Sequence, residues 1–252
     1  MTFKEYHFKS YINEALNSIN FVNPTKVQEI VIPEAISGTS LMVESATGSG
    51  KTHAFLLPIL ENLDEDNKSV QAIILSPTRE LAMQLYNVCV ELTKHSKKEI
   101  TVARAIGGVD RESEIKKYEK SQPQIVIGTI GRIVDLAIKT NVLKIHLANT
   151  VVIDEADMIF EEKELIEVDK IMGKIWTERE KDFYEVIWGD KNKIKNIMTK
   201  LSILGEKYSH DIKKLSLGEL FSVNAGFINS AARRTREILE KFKELNSWKE
   251  VV

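Results

Sequence analysis

Five short runs of aliphatic and β-branched residues, separated by helical stretches, constrain this chain more than any other feature. They are "SLMVES" (40–45), "AIILS" (72–76), "ITVARAI" (100–106), "QIVIG" (124–128) and "TVVID" (150–154). Each is nearly continuous in its apolar residues and does not alternate with polar ones. That is the pattern of a strand covered on both faces, as in a parallel sheet. The stretches 51–62, 79–95 and 131–139 read as the intervening helices. Alternation of this kind predicts an α/β fold with a parallel sheet flanked by helices and ligands at the carboxyl ends of the strands.

Beyond Trp176 the texture changes. Ile194, Ile197, Met198, Leu201 and Leu204 recur at helical spacing over 191–209, and Phe227, Ile228, Ala231, Ile238, Leu239, Phe242 and Leu245 do so over 226–245. The expected organisation is therefore an α/β domain over 1–175 and a mainly helical segment over 176–252. Net charge follows the same division. Residues 176–252 hold 15 Lys+Arg against 12 Asp+Glu, which leaves 20 against 25 for residues 1–175. Neither part is a polycation, so any nucleic-acid contact must come from a local patch. The apolar runs are too short for a membrane span, and the N-terminus "MTFKEYHFKS" lacks the apolar core of a secretory signal. A single cysteine, Cys89, forms no internal disulfide and reads as a small core residue, and the expected compartment is the cytoplasm.

"MVESATGSGKTHAFLLPIL" (42–60) is a strand, a glycine-bearing turn and a helix. Phosphate oxygens need several donors converging from one side. Glycines let the backbone curl so that consecutive N–H groups point inward, and the helix N-terminus adds its positive dipole. The loop Ser45, Ala46, Thr47, Gly48, Ser49, Gly50 is thus a candidate phosphate cradle, although Ser45 stands where the general pattern has its first glycine. Lys51 is expected at the β- and γ-phosphates, and the Thr52 hydroxyl on Mg²⁺. "VVIDEADMIF" (151–160) puts three carboxylates directly after a buried strand. In a sheet carrying such a loop, Asp154 is expected to face Mg²⁺, and Glu155 to orient the attacking water. Asp157 lies one step beyond and is expected to couple or support.

These motifs, in this order, resemble the DEAD-box RNA helicases, and among them the bacterial cold-shock members of the CshB kind. The likeness covers about residues 3–175 and carries further expectations. "FVNPTKVQ" (21–28) resembles the family's adenine-reading motif, which places Phe21 near the base, Thr25 in the site and Gln28 on the adenine edge; Phe8 sits where an upstream aromatic is expected. "PTRELA" (77–82), "GG" (107–108) and "TIGR" (129–132) resemble motifs that hold the RNA sugar-phosphate backbone. The candidate RNA residues are Pro77, Thr78, Arg79, Gly107, Gly108, Thr129, Gly131 and Arg132, with Arg79 and Arg132 as phosphate contacts. The resemblance implies a RecA-like fold, ATP and Mg²⁺ as ligands, and RNA as partner with little sequence preference.

The departures matter as much. Asn20 replaces the usual glycine before Phe21, and Ile130 a usual proline. The family's Ser-Ala-Thr motif belongs on the strand after the acidic one, where this chain reads "DFYEVIWGDKN" (182–192). A second RecA-like domain needs roughly 150 residues or more, whereas the tail reads as helices. The expectation is an ATP- and RNA-binding first domain that does not unwind RNA alone. The alternative is a binding relic or interaction module acting through a partner. That partner would be a second RecA-like domain in trans or another protein held by 191–252.

Other residues carry weaker signals. His7, His53, His95, His146 and His210 show no metal-ligand spacing. Trp176, Trp188 and Trp248 read as core or interface anchors. Arg233, Arg234 and Arg236 lie among Glu237, Glu240 and Glu244, and serve equally as phosphate contacts or a solvated helix face.

Overall fold

A computed structural model describes residues 2–39, 41–43, 48–159, 162–176, 184–188 and 250–251. They belong to one compact unit, residues 1–189 with 249–252. The helical patterns of 191–245, Arg233, Arg234 and Arg236 among them, lie outside the described residues, as do Ser45, Ala46 and Thr47.

The chain begins with helices α1 (Ser10–Ser18) and α2 (Lys26–Ile36), then strand β1 (Leu41–Val43) and helix α3 (Lys51–Asn62). There follow β2 (Ala72–Ser76), α4 (Arg79–Thr93), β3 (Val102–Ala105), α5 (Arg111–Lys120) and β4 (Ile125–Thr129). The remainder is α6 (Ile130–Val134), a π-helical turn at Asp135–Lys139, β5 (Thr150–Ile153), α7 (Ala156–Ile159), α8 (Glu162–Trp176), β6 (Tyr184–Trp188) and β7 (Glu250–Val251). Among the described residues the strands form one parallel sheet in the order β3-β4-β2-β5-β6-β1-β7. The five predicted strands are all present. A sixth, β6, inserts between β5 and β1, with Ile153 opposite Ile187 and Val43 opposite Trp188. The sheet therefore draws on residues beyond the boundary expected near 176.

Central strands β2 and β5 are buried along their whole length, which explains their continuous apolar runs. Helix α3 is buried from Ala54 to Leu60, and Phe55, Leu56, Leu57 and Leu60 pack in one core with Ile74 and Leu41. Burying each such side chain contributes about 1.5–3 kcal/mol. Local chemistry sets the helix starts. Thr78 Oγ1 accepts from Leu81 N at 3.2 Å to begin α4, and the Asp110 carboxylate accepts from Ser113 N at 3.1 Å to begin α5.

The amino end of the sheet is closed by two buried amides. Gln71 Oε1 accepts from Asp64 N at 2.9 Å and its Nε2 donates to the Asp64 and Asn67 carbonyls, each at 2.8 Å. Gln124 Oε1 accepts from Thr101 N at 3.1 Å, and its Nε2 donates to the Asp64 carbonyl at 3.2 Å. The loops bearing charged and glycine-rich motifs emerge at the opposite, carboxyl end. No described helix is long and apolar enough to cross a membrane.

Candidate functional site

The loop before α3 needs its glycines for two separate reasons. Gly48 and Gly50 have φ of +80° and +94°, where side chains are strained. Gly50 is also closely covered: a Cβ there would run into the Gln28 amide. Gln28 Nε2 donates to the Gly50 carbonyl at 2.9 Å, and Gln28 Oε1 accepts from Thr25 N at 2.9 Å. The Thr25–Gln28 pair forms the capping box that begins α2. The residue expected on a base edge thus also buttresses the phosphate loop. A primary amide has a second N–H and a second oxygen lone pair, so both ends retain one bond to offer.

Lys51 opens α3 and its Nζ lies 3.0 Å from Glu155 Oε1. Thr52 follows in the same first turn, half-buried. Glu155 has φ +50°, an uncommon conformation for a residue with a side chain, which costs on the order of 1 kcal/mol or more. The turn places Glu155 over the loop while Asp154 stays buried at the end of β5, its N–H bonded to the Leu75 carbonyl at 2.9 Å. Asp157 lies half-buried at the start of α7.

Burial is the main cause that pushes the Asp154 carboxyl up to about 6, and the Glu155 charge adds to it; Lys51 and the Glu155 N–H pull the other way. The folded protein holds this proton more tightly than the unfolded chain does. The group's contribution to stability is therefore full below 3.8 and declines as pH rises through about 6. Asp154→Asn is expected to stabilise the ligand-free protein near neutral pH by on the order of 2 kcal/mol, with the gain shrinking towards pH 4. Thermal melts of both proteins across that range check this, and equal melting temperatures at neutral pH would contradict it. A cation bound beside Asp154 would offset the burial that suppresses its ionisation. Thr52 and Asp154 supply the hard oxygen donors that Mg²⁺ prefers. Among the described residues no three His, Cys, Asp or Glu side chains converge, so such an ion would take most of its ligands from water and phosphate.

Phe21 is 37% exposed and lies between other rings. Phe3 stacks on it at 6.4 Å between centroids, and the His53 ring approaches at 4.6 Å. Phe8, at the position of the upstream aromatic, is buried in the core against Tyr6, 5.3 Å away. Phe3 is the upstream ring that reaches Phe21. His53, half-buried and with its pKa lowered by burial, was also not visible as a site residue. Its spacing to Phe21 follows no motif.

Arg79, Gly107 and Gly108 converge. A Cβ on Gly107 would lie 2.7 Å from Arg79 Nη2, so the guanidinium rests directly on that backbone. Gly108 has φ +95°. Arg79 is exposed. Pro77 and Thr78 follow β2, Thr129 ends β4 and Gly131 lies in the first turn of α6, at the same end of the sheet. Arg132 differs, because its side chain is 12% exposed and its guanidinium is engaged with Glu114. The two departures from the motifs have physical accommodations. Asn20 has φ +57°, a conformation that asparagine tolerates better than most residues with side chains. Ile130 is the first residue of α6, where proline is favoured, and is 2% exposed in the core.

The chain belongs to the DEAD/DEAH box helicase family, whose model matches residues 25–188. It is 46% identical over 173 residues to the DEAD-box ATP-dependent RNA helicase CshB of Listeria monocytogenes serovar 1/2a, covering 69% of this chain and 39% of that protein. Its identity to the Bacillus subtilis CshB is 41% over 174 residues, 69% of this chain and 39% of the relative. Among solved structures, a DEAD box protein from the hyperthermophile Methanococcus jannaschii superposes with a TM-score of 0.66 at 32% identity, covering 79% of this chain and 53% of that one. The chain spans about two-fifths of the length of the curated relatives it matches. The RecA-like parallel sheet, and the likeness to CshB helicases, agree with the expectations drawn from the motifs.

Proposed function

We propose that this unit is the ATP- and RNA-binding first domain of a DEAD-box RNA helicase, which does not separate strands by itself. The observation that carries the reading is the meeting of Lys51, Glu155 and Asp154 beside the glycine loop, with Lys51 held at 3.0 Å from Glu155. A cation parked on a carboxylate at a helix N-terminus is placed to exchange that partner for a phosphate. Lys51 and the N–H groups of Gly48–Gly50 bind the phosphate chain. Asp154 and Thr52 would hold Mg²⁺, and a bound ion would supply positive charge to the phosphates. Glu155 orients the attacking water, and Asp157 has a structural or coupling role. The ring of Phe21 and the amide of Gln28, seated by Thr25, take the adenine. Ser45, Ala46 and Thr47 are assigned to the phosphate loop by the sequence motif alone.

RNA lies along the carboxyl ends of β2, β3 and β4, over Pro77, Thr78, Arg79, Gly107, Gly108, Thr129 and Gly131. Its backbone is held with little preference among bases, since no set of base-reading side chains is present among these residues. The reading takes the cytoplasm as its compartment; Cys89, buried and pushed up to about 12, is protected from oxidation there.

The test is calorimetric titration with Mg-ATP and Mg-GTP. ATP is expected to bind measurably and GTP far more weakly. Gln28→Ala should lower ATP affinity by roughly tenfold or more and erase most of the preference, since it removes the base contacts and leaves the Gly50 carbonyl without its donor. A wild-type protein that binds GTP as well as ATP would refute the assignment of Gln28.

A further inference from the structure

We propose that Arg132 is a positioning residue: it fixes the loop carrying Gly107 and Gly108 for RNA and does not itself contact a phosphate. This rests on the RNA-binding reading above. The side chain is 12% exposed; hydrogen bonds engage its Nε and Nη2, and Nη1 faces a carboxylate at ion-pair distance. Nε donates to Glu114 Oε2 at 2.9 Å, and Nη2 bonds the same oxygen. Nη2 also donates to the Val109 carbonyl at 3.3 Å, directly after the two glycines. Nη1 lies 3.6 Å from Asp135 Oδ2.

Each partner is held in turn. Tyr118 Oη donates to Glu114 Oε1 at 3.4 Å from one turn along α5. Arg111 grips Asp135 through Nε at 2.7 Å and Nη2 at 3.0 Å. The network thus ties α5, α6 and the π-helical turn to one carbonyl of the β3–α5 loop. Single π-helical turns within helices recur at functional sites. Arg79 stands in contrast. It is exposed, has no carboxylate partner among the described residues, and lies against Gly107.

Nη1 faces the Asp135 carboxylate, and a phosphate that took over Nε or Nη2 would strip Arg132 from Glu114, whose side chain is 7% exposed. That would leave a buried carboxylate unpaired, a heavily disfavoured state. The direct contact with RNA therefore falls to Arg79 and the loop backbone. Arg132 acts one step behind them, by holding Val109 and hence the angle at which Gly107 and Gly108 face outward.

Salt dependence separates the two roles. Each phosphate contact adds about 0.7 to the slope of log affinity against log salt for single-stranded RNA. The 252-residue polypeptide is titrated into a fluorescein-labelled oligouridine over a salt series. Arg79→Gln is expected to lower the slope by about 0.7. Arg132→Gln should weaken binding by on the order of tenfold at an unchanged slope, with ATP affinity kept.

Glu114→Gln is the sharper probe, because Arg132 remains. If Arg132 positions the loop, RNA affinity falls; if it contacts phosphate, freeing it raises both affinity and slope. The double variant Arg132→Gln/Glu114→Gln leaves no unpaired charge and serves where a single variant melts early. It should bind RNA no more weakly than the worse single variant. A lowered slope with Arg132→Gln, a raised slope with Glu114→Gln, or unaltered RNA affinity in all three variants would overturn the proposal and leave the RNA-binding reading in place. A wild type with no affinity for the oligouridine would overturn both.

Discussion

Adding a second RecA-like domain in trans to the 252-residue polypeptide is expected to raise RNA-stimulated phosphate release by on the order of 10³-fold or more. The reason lies in where the arginines are. Hydrolysis needs a water positioned on the γ-phosphate, the role proposed for Glu155, and cations on the charge that develops there. Lys51 meets Glu155 at 3.0 Å. The described arginines are engaged elsewhere. Arg79 lies on Gly107, Arg104 sits 5.9 Å over the Tyr86 ring, Arg111 pairs with Asp135, and Arg132 pairs with Glu114. A cation supplied in trans is worth about 10³–10⁵ in rate in phosphoryl transfer, and it must be aimed, since positioning and not charge alone lowers the barrier. Phosphate release is measured with and without RNA, and with and without the added domain. Robust RNA-stimulated turnover and strand separation by the 252-residue polypeptide alone would refute the expectation. They would also direct attention to Arg233, Arg234 and Arg236.

Lys51→Ala should abolish measurable Mg-ATP binding while hardly changing the melting temperature. The two readouts separate because the lysine has different worth in the two states. In the ligand-free protein its pair with Glu155 is partly solvated, with side-chain exposures of 15% and 31%. Partly exposed pairs of this kind contribute about 0–1 kcal/mol. Against a triphosphate the same ammonium makes charge-assisted hydrogen bonds that are worth roughly 1.5–3 kcal/mol each. Calorimetry and a thermal melt on the same preparation decide the matter. Equal ATP affinity for wild type and variant would mean that this loop is not the phosphate site.

Much of this unit was legible before any coordinates. Strands β2 and β5 announce themselves because burial on both faces demands unbroken apolar runs. The glycine loop and the acidic turn are legible because each is a local arrangement: a few adjacent residues, one strand end and one helix start. Strand β6 was not, although "YEVIW" carries a strand's residues. A five-residue segment, interrupted by Glu185, has no period long enough to separate strand from helix, and its neighbours read as helical. The buried role of Glu114 was also hidden. The segment "RESEIKKYEK" is charged nearly throughout, and only packing reveals that Glu114 and Tyr118 face inward.

The sequence by itself determined the class of fold, the family and the glycine-loop and acidic-turn motifs, because each is encoded by residues close together in the chain. Tertiary structure alone decided how those parts are coupled. Gln28 reaches Gly50 across 22 residues, Lys51 reaches Glu155 across 104, and Arg132 is withdrawn onto Glu114 across 18. None of these pairings has a spacing rule. They follow from the parallel sheet, which brings separate strand ends to one edge and there determines whether an arginine faces a phosphate or a buried carboxylate.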